Sequence, residues 1–203
     1  AGRPRAPETI RYNSAMADYV RLEETLTDSL QLKRRPVAIA FLDAPVDGVR
    51  KLEGNQPSGC TFWSLAADGR VFYTVPADHY NCPIGSYTHN IPLPAEREHE
   101  LTDTLGLMKE IGYMRLEEVK AAPRLTKTPA VTLYAPLADT PVAPDAVLVS
   151  GAPGGLMLLH EAATRLDLPA ASLLGRPTCM AVPAALAAGL ATSLGCVGNR
   201  VYT

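Results

Sequence analysis

Arg34-Arg35-Pro36-Val37-Ala38-Ile39-Ala40-Phe41-Leu42 is the stretch on which the fold turns. The proline closes whatever precedes it, because it fixes φ and has no amide to donate. Six apolar residues then run without a break, the pattern of a strand buried on both faces. Upstream, Met16, Tyr19, Val20, Leu26 and Leu30 recur near one helical face, which predicts a helix over 14–30 with Ser14 as its N-cap. Residues 1–12 read as a flexible arm.

Downstream the two periods keep alternating. Cys60 to Ala67 predicts a short helix with Cys60 near its start, and Arg70 to Val75 a strand after the Asp68-Gly69 turn. Glu96 to Ile111 predicts a helix, with Leu101, Leu105, Met108 and Ile111 spaced by three and four and Gly112 placed to stop it. A short amphipathic segment, Leu116 to Ala122, leads to Pro123. Strands follow near Ala130–Tyr134 and Ala146–Ser150, then a glycine turn opens a helix to about Arg165. Pro183 to Ala191 predicts a further helix, and Val201-Tyr202 an edge strand. Such alternation implies an α/β or α+β fold, a mixed β-sheet flanked by helices. The chain reads as one domain over 13–203, with a weak internal boundary near 123–129.

The 203 residues can bury a full core without disulfides. A formal charge of −2 and 47% hydrophobic residues argue against nucleic-acid partners and against disorder. No apolar run approaches the roughly 20 residues of a membrane span. Ala1 to Pro7 has no apolar core after its basic residues, so a cytoplasmic location is the expectation.

Chemistry concentrates in Asp78-His79-Tyr80-Asn81-Cys82-Pro83-Ile84-Gly85-Ser86-Tyr87-Thr88-His89-Asn90, with one of the four cysteines and two of the four histidines. The Cys-Pro-x-Gly run reads as a turn in which glycine lets the backbone approach something bulky. Cys60, Cys179 and Cys196 also lie among glycines and prolines. No gap between the four gives a Cys-x-x-Cys pair, so spacing alone does not define a site. Four readings compete: buried thiols, two disulfides, a zinc ion held by four thiolates, and an iron–sulfur cluster. A reducing cytosol disfavours the disulfides, and zinc ordinarily relies on paired knuckles that are missing here. Glycines and prolines near every cysteine favour a [4Fe-4S] cluster on Cys60, Cys82, Cys179 and Cys196, whose sulfides need close backbone donors.

Pro36-Val37-Ala38-Ile39, Ser58-Gly59-Cys60, Asn81-Cys82-Pro83-Ile84-Gly85, Gly175-Arg176-Pro177-Thr178-Cys179 and Gly195-Cys196-Val197-Gly198-Asn199-Arg200 together resemble one family. It is the prokaryotic domain-of-unknown-function family 169, and the resemblance runs from about residue 25 onward. It implies that the four cysteines are the family's candidate ligands, and it transfers no activity.

Around those ligands, His79, Tyr80, His89, Arg176 and Arg200 are the candidate supporting residues. A histidine can replace a thiolate or move a proton, and an arginine beside an anionic cluster raises its potential. Against this, loop histidines are more often surface groups, and the aromatics Phe62, Trp63, Tyr80 and Tyr87 serve equally well as core. His99 reads as solvent-facing and His160 as a packed interface residue. Gly151-Ala152-Pro153-Gly154-Gly155 matches neither phosphate-loop pattern and reads as a helix entry. No Gly-x-Ser-x-Gly nucleophile occurs, and whether the chain is an enzyme stays open. The expected function is electron transfer or redox chemistry on a small molecule, with an unspecified redox partner and a homo-oligomer permitted. Four ligating thiolates favour electron transfer, whereas three would leave an iron open to substrate. The alternative is a zinc-stabilised or metal-free small-ligand module whose cysteines are structural.

Overall fold

The apolar run after Pro36 forms β1 (Val37–Leu42), and it lies inside the sheet, not at its edge. The computed structural model describes residues 18–56, 60–112, 117, 124–167, 170–171, 178–187 and 192–193. β1 pairs antiparallel with β3 (Val131–Pro136) on one side and with β4 (Ala146–Leu148) on the other. β2 (Phe72–Thr74) joins the far side of β3, giving the order β2-β3-β1-β4. All pairings in this sheet are antiparallel. Among the described residues, parallel pairing is confined to the short ladder of β5 (Ala170–Ala171) with β6 (Thr192–Ser193) and a bridge between Lys51 and Tyr73. The fold is α+β, a four-stranded sheet with flanking helices in a single compact domain.

Successive β1 side chains face opposite ways. Val37, Ile39 and Phe41 join Phe72 and Tyr134 in a core shared with α2 (Cys60–Ala67) and α6 (Thr178–Ala187), which contribute Phe62, Trp63, Ala66, Val182 and Leu186. The other face is built on Ala40, Leu133 and Ala135, and Val46, Val49 and Val142 from irregular segments close it.

α1 (Tyr19–Leu30) has Asp18 as its N-cap, whose carboxylate accepts from the Arg21 amide at 3.0 Å. It is pinned through Glu23, which accepts from Arg35 Nε at 2.5 Å and from the Ala138 amide at 2.7 Å. α4 (His99–Glu110) places Leu101, Leu105 and Met108 against Ile84 and Met180, while His99 and Ile111 are exposed. Gly112 follows with φ +70°, the left-handed geometry that ends a helix. α5 (Pro153–Arg165) opens from the glycine turn. A Cβ on Gly155 would stand 2.8 Å from the Leu30 carbonyl oxygen, so that glycine lets α5 pack on the end of α1.

Residues 124–129 are laid against the end of α3 (Pro83–Thr88): Arg124 Nε donates to the Tyr87 carbonyl at 2.7 Å, and the Leu125 amide to that of Thr88 at 2.9 Å. The N-terminal arm over 1–12, Ser14, most of Leu116–Ala122, Arg176, Cys196, Arg200 and the Val201-Tyr202 strand lie outside the described residues.

Candidate metal centre

The site is built from three chain segments that meet over one face of the sheet. α2 presents Cys60 from its first residue, the Cys82-Pro83 pair opens α3, and α6 carries Cys179 in its first turn. Two of these placements correct the sequence reading. Cys82-Pro83 does not make a turn that ends a helix. Cys82 is the N-cap and Pro83 the first residue of α3, where a missing amide costs nothing. The last helix already covers Thr178–Ala187, so Pro183 sits inside it and does not open it, while residues 188–191 lie outside the described residues.

Pro183 is tolerated there for a local reason. An amide at 183 would bond the carbonyl of Cys179, four residues back, and proline cannot supply it. The Thr88 hydroxyl, from the end of α3, donates to that carbonyl at 2.6 Å instead. The irregularity of α6 therefore latches the Cys179 segment onto the Cys82 segment.

Cys60, Cys82 and Cys179 line one cavity together with His79, His89, Trp63, Tyr134, Gly85, Ile39 and Val182. Cys82 and Cys179 are hydrogen-bonded through their side chains. That bond, burial, and the nearby Cys82 and Cys60 sulfurs together push the Cys179 thiol well up from its ordinary value. A Cβ at Gly85 would lie 2.9 Å from Cys82 Sγ and 3.5 Å from Cys179 Cβ. Glycine at this point supplies space for sulfur and no special backbone angle, which is the close approach expected of the Cys-Pro-x-Gly run.

Both histidines of this stretch are buried wall residues, not surface loop groups. His79 Nε2 is hydrogen-bonded to the Thr74 hydroxyl at 2.8 Å, and its ring lies 4.9 Å from that of Phe62. His89 donates from Nδ1 to the Gly85 carbonyl at 2.8 Å, which leaves Nε2 as the nitrogen with the lone pair. Burial pulls His79 down to about 3, with the neighbouring His89 adding to the shift. Burial likewise pulls His89 down to about 4, against the opposing effect of its bond to Gly85. Both are neutral at physiological pH. Tyr134 is pushed upward by burial and by the Cys60 and Cys82 sulfurs, so its hydroxyl keeps its proton.

Two wall residues were not singled out as site residues by the sequence. Tyr134 sits in a strand of continuous apolar character and carries no local signal. Trp63 was visible only as one of a group of aromatics. Its indole Nε1 is buried and has no hydrogen-bond partner among the described residues. Tyr80, by contrast, follows the 3-10 turn Pro76–His79 and is not part of the cavity wall.

With this geometry in place, comparison with family models is informative. The model of DUF169, described as "Uncharacterised ArCR", matches residues 25–203. The chain belongs to the DUF169 family. That span includes all four cysteines of this DUF169 chain and every element that walls the cavity. Comparison with curated proteins and with solved structures returns no match. Among the described residues, no helix is long and apolar enough to cross a membrane.

The donor set of the cavity has the chemistry of a soft-metal site, with thiols, neutral imidazoles and an indole N–H inside apolar walls. Among the described residues, no three His, Cys, Asp or Glu side chains close on a single point as a lone ion requires. The room between the side chains as they stand is about 30 Å³, a single water's share of the liquid. The ligand types are those of an iron–sulfur site, while the room between the side chains as they stand is smaller than a four-iron core.

Proposed function

We propose that this chain is an iron–sulfur protein that holds one [4Fe-4S] cluster through Cys60, Cys82, Cys179 and Cys196. Its work would be electron transfer or redox chemistry on a small molecule. The observation that carries the reading is the meeting of Cys60, Cys82 and Cys179 in one cavity from three separate elements. When bound, such a cluster supplies one-electron chemistry at a potential set by its surroundings.

The chain's own residues then have definable parts. Cys60, Cys82 and Cys179 give up their protons to ligate, so loading releases protons and weakens as pH falls. Gly85 leaves room for the Cys82 sulfur. Trp63 Nε1 offers a hydrogen bond to sulfur, which stabilises negative charge and raises the potential. Ile39, Val182 and Tyr134 keep water from the thiols, while His79 and His89 stay uncharged beside them.

Anaerobic purification with iron, acid-labile sulfide and zinc determinations on one sample tests the reading. The expected result is a brown protein with about four irons and four sulfides per chain. Cys60→Ser, Cys82→Ser, Cys179→Ser and Cys196→Ser should each lose the colour and most of the iron. A colourless protein with stoichiometric zinc would replace this reading with a structural metal site. A variant that keeps full iron and absorbance removes that cysteine from the ligand set.

A further inference from the structure

Cys82 and Cys179 lie far apart in the chain, yet their side chains share a hydrogen bond in the cysteine cavity. A Cβ at Gly85 would stand 3.4 Å from Cys82 Cβ and 3.5 Å from Cys179 Cβ, so both β-carbons flank one point in space. Glycine puts no side chain at that point, and none stands in the way of their approach. A disulfide sets its β-carbons about 4 Å apart.

α3 holds the backbone of both residues. The Cys82 carbonyl accepts from the Ser86 amide at 2.8 Å, and the Cys179 carbonyl accepts from the Thr88 hydroxyl at 2.6 Å. The two sulfurs are therefore neighbours by construction, fixed from a single short helix. Both cysteines are half-buried, which leaves solvent a way to them. An oxidant as small as hydrogen peroxide needs no wider path.

We propose that Cys82 and Cys179 form a reversible disulfide in the metal-free chain, with a peroxide as the oxidant. One sulfur, as its thiolate, attacks a peroxide oxygen. The O–O bond breaks, hydroxide leaves, and a sulfenic acid remains on that cysteine. The neighbouring sulfur attacks the sulfenic sulfur, the S–O bond breaks, and water departs with the second thiol's proton. Two thiols lose two electrons and two protons, and one hydrogen peroxide becomes two waters. The assignment does not rest on the cluster reading, since it concerns the chain without metal. Joined to that reading, it makes the site guard itself: the bond withdraws two of the four proposed ligands until a reductant returns them.

The full chain, stripped of metal with a chelator, reduced and cleared of reductant, is exposed to stoichiometric hydrogen peroxide. Remaining thiols are alkylated, and the protein is digested without reduction for mass spectrometry. The Cys82 peptide joined to the Cys179 peptide should be the dominant linkage, with two thiols lost per chain and both regained in dithiothreitol. In urea the linkages should scatter among the four cysteines, because the fold no longer selects a pair. Cys60→Ser should keep the native linkage, and Cys82→Ser and Cys179→Ser should each abolish it. A dominant linkage containing Cys60 or Cys196, a native pattern equal to that in urea, linkage only between chains, sulfinic acid without linkage, or four intact thiols after peroxide would each overturn the assignment.

Discussion

The Thr88 hydroxyl stands in for the amide that Pro183 lacks, donating to the Cys179 carbonyl at 2.6 Å across the junction of α3 and α6. Thr88 is almost fully buried, so water cannot take over this bond. Thr88→Val keeps the shape and removes the donor, leaving a buried carbonyl unpaired at a cost of about 1–3 kcal/mol. A lowered denaturation midpoint, with faster amide exchange in the first turn of α6, is the expected outcome. Exchange that stays unchanged there would show that the latch is not needed.

Gly85→Ala should leave the fold standing and disturb the sulfur. The added methyl would meet Cys82 Sγ at 2.9 Å, and the sulfur is the movable end of a side chain. The expected phenotype is near-normal thermal stability with a changed rate of thiol labelling and, on the proposed cluster reading, loss of iron. Full iron content in this variant would mean that the Cys82 sulfur points elsewhere when ligated.

The two buried histidines make stability fall on mild acidification of the metal-free chain. Their folded pKa values, about 3 and about 4, lie below the ordinary value near 6.5. As pH drops below about 6.5, the unfolded chain takes up protons that the folded chain refuses, so unfolding becomes easier. The loss continues until the pH passes through the folded values. Between pH 7 and 5 it amounts to as much as about 4 kcal/mol for the two together. Ordinary carboxylates titrate below that window, so the histidines dominate it. Urea midpoints across this range should slope for the native sequence and flatten in His79→Gln/His89→Gln. An equal slope in the double variant would assign the dependence to other groups.

Glu23→Ala should loosen α1. It removes one of the two carboxylates that hold Arg35, leaving Asp139, and strips the Ala138 amide of its acceptor. Because the arginine is partly exposed, the cost is about 2 kcal/mol, less than for a fully buried pair. A thermal melt reads the loss. A double-mutant cycle with Arg35→Met should show that part of it is shared between the two residues.

Much of this arrangement is legible in the residue pattern. Val37–Leu42 is a strand with the boundaries its apolar run implies, and α2 and α4 follow their periodicity. The clearest misreading is where proline acts through a partner distant in sequence. Pro183 is carried inside a helix because Thr88 serves the orphaned carbonyl. That partner is not visible in a local window. The histidines were weighed as loop groups for the same reason, since their burial comes from Phe62, Phe41 and Thr74 on other elements. Gly85 was legible, because steric room next to a cysteine is a property of the immediate sequence. Tyr134 and Trp63 were not, because an aromatic wall and an aromatic core look alike until the fold brings the sulfurs to one side.

Two of the three thiol-bearing segments lie in the first half of the described chain and the third near its end, and this has a consequence in time. During synthesis, Cys60 and Cys82 emerge long before the helix that bears Cys179, so they wait beside a half-built wall. Until Thr178–Ala187 docks, the wall that carries Cys179 is missing and the Cys60 and Cys82 thiols stand open to solvent and to oxidation. Maturation of this site is thus a race between closure of the last helix and the chemistry of two early, exposed sulfurs.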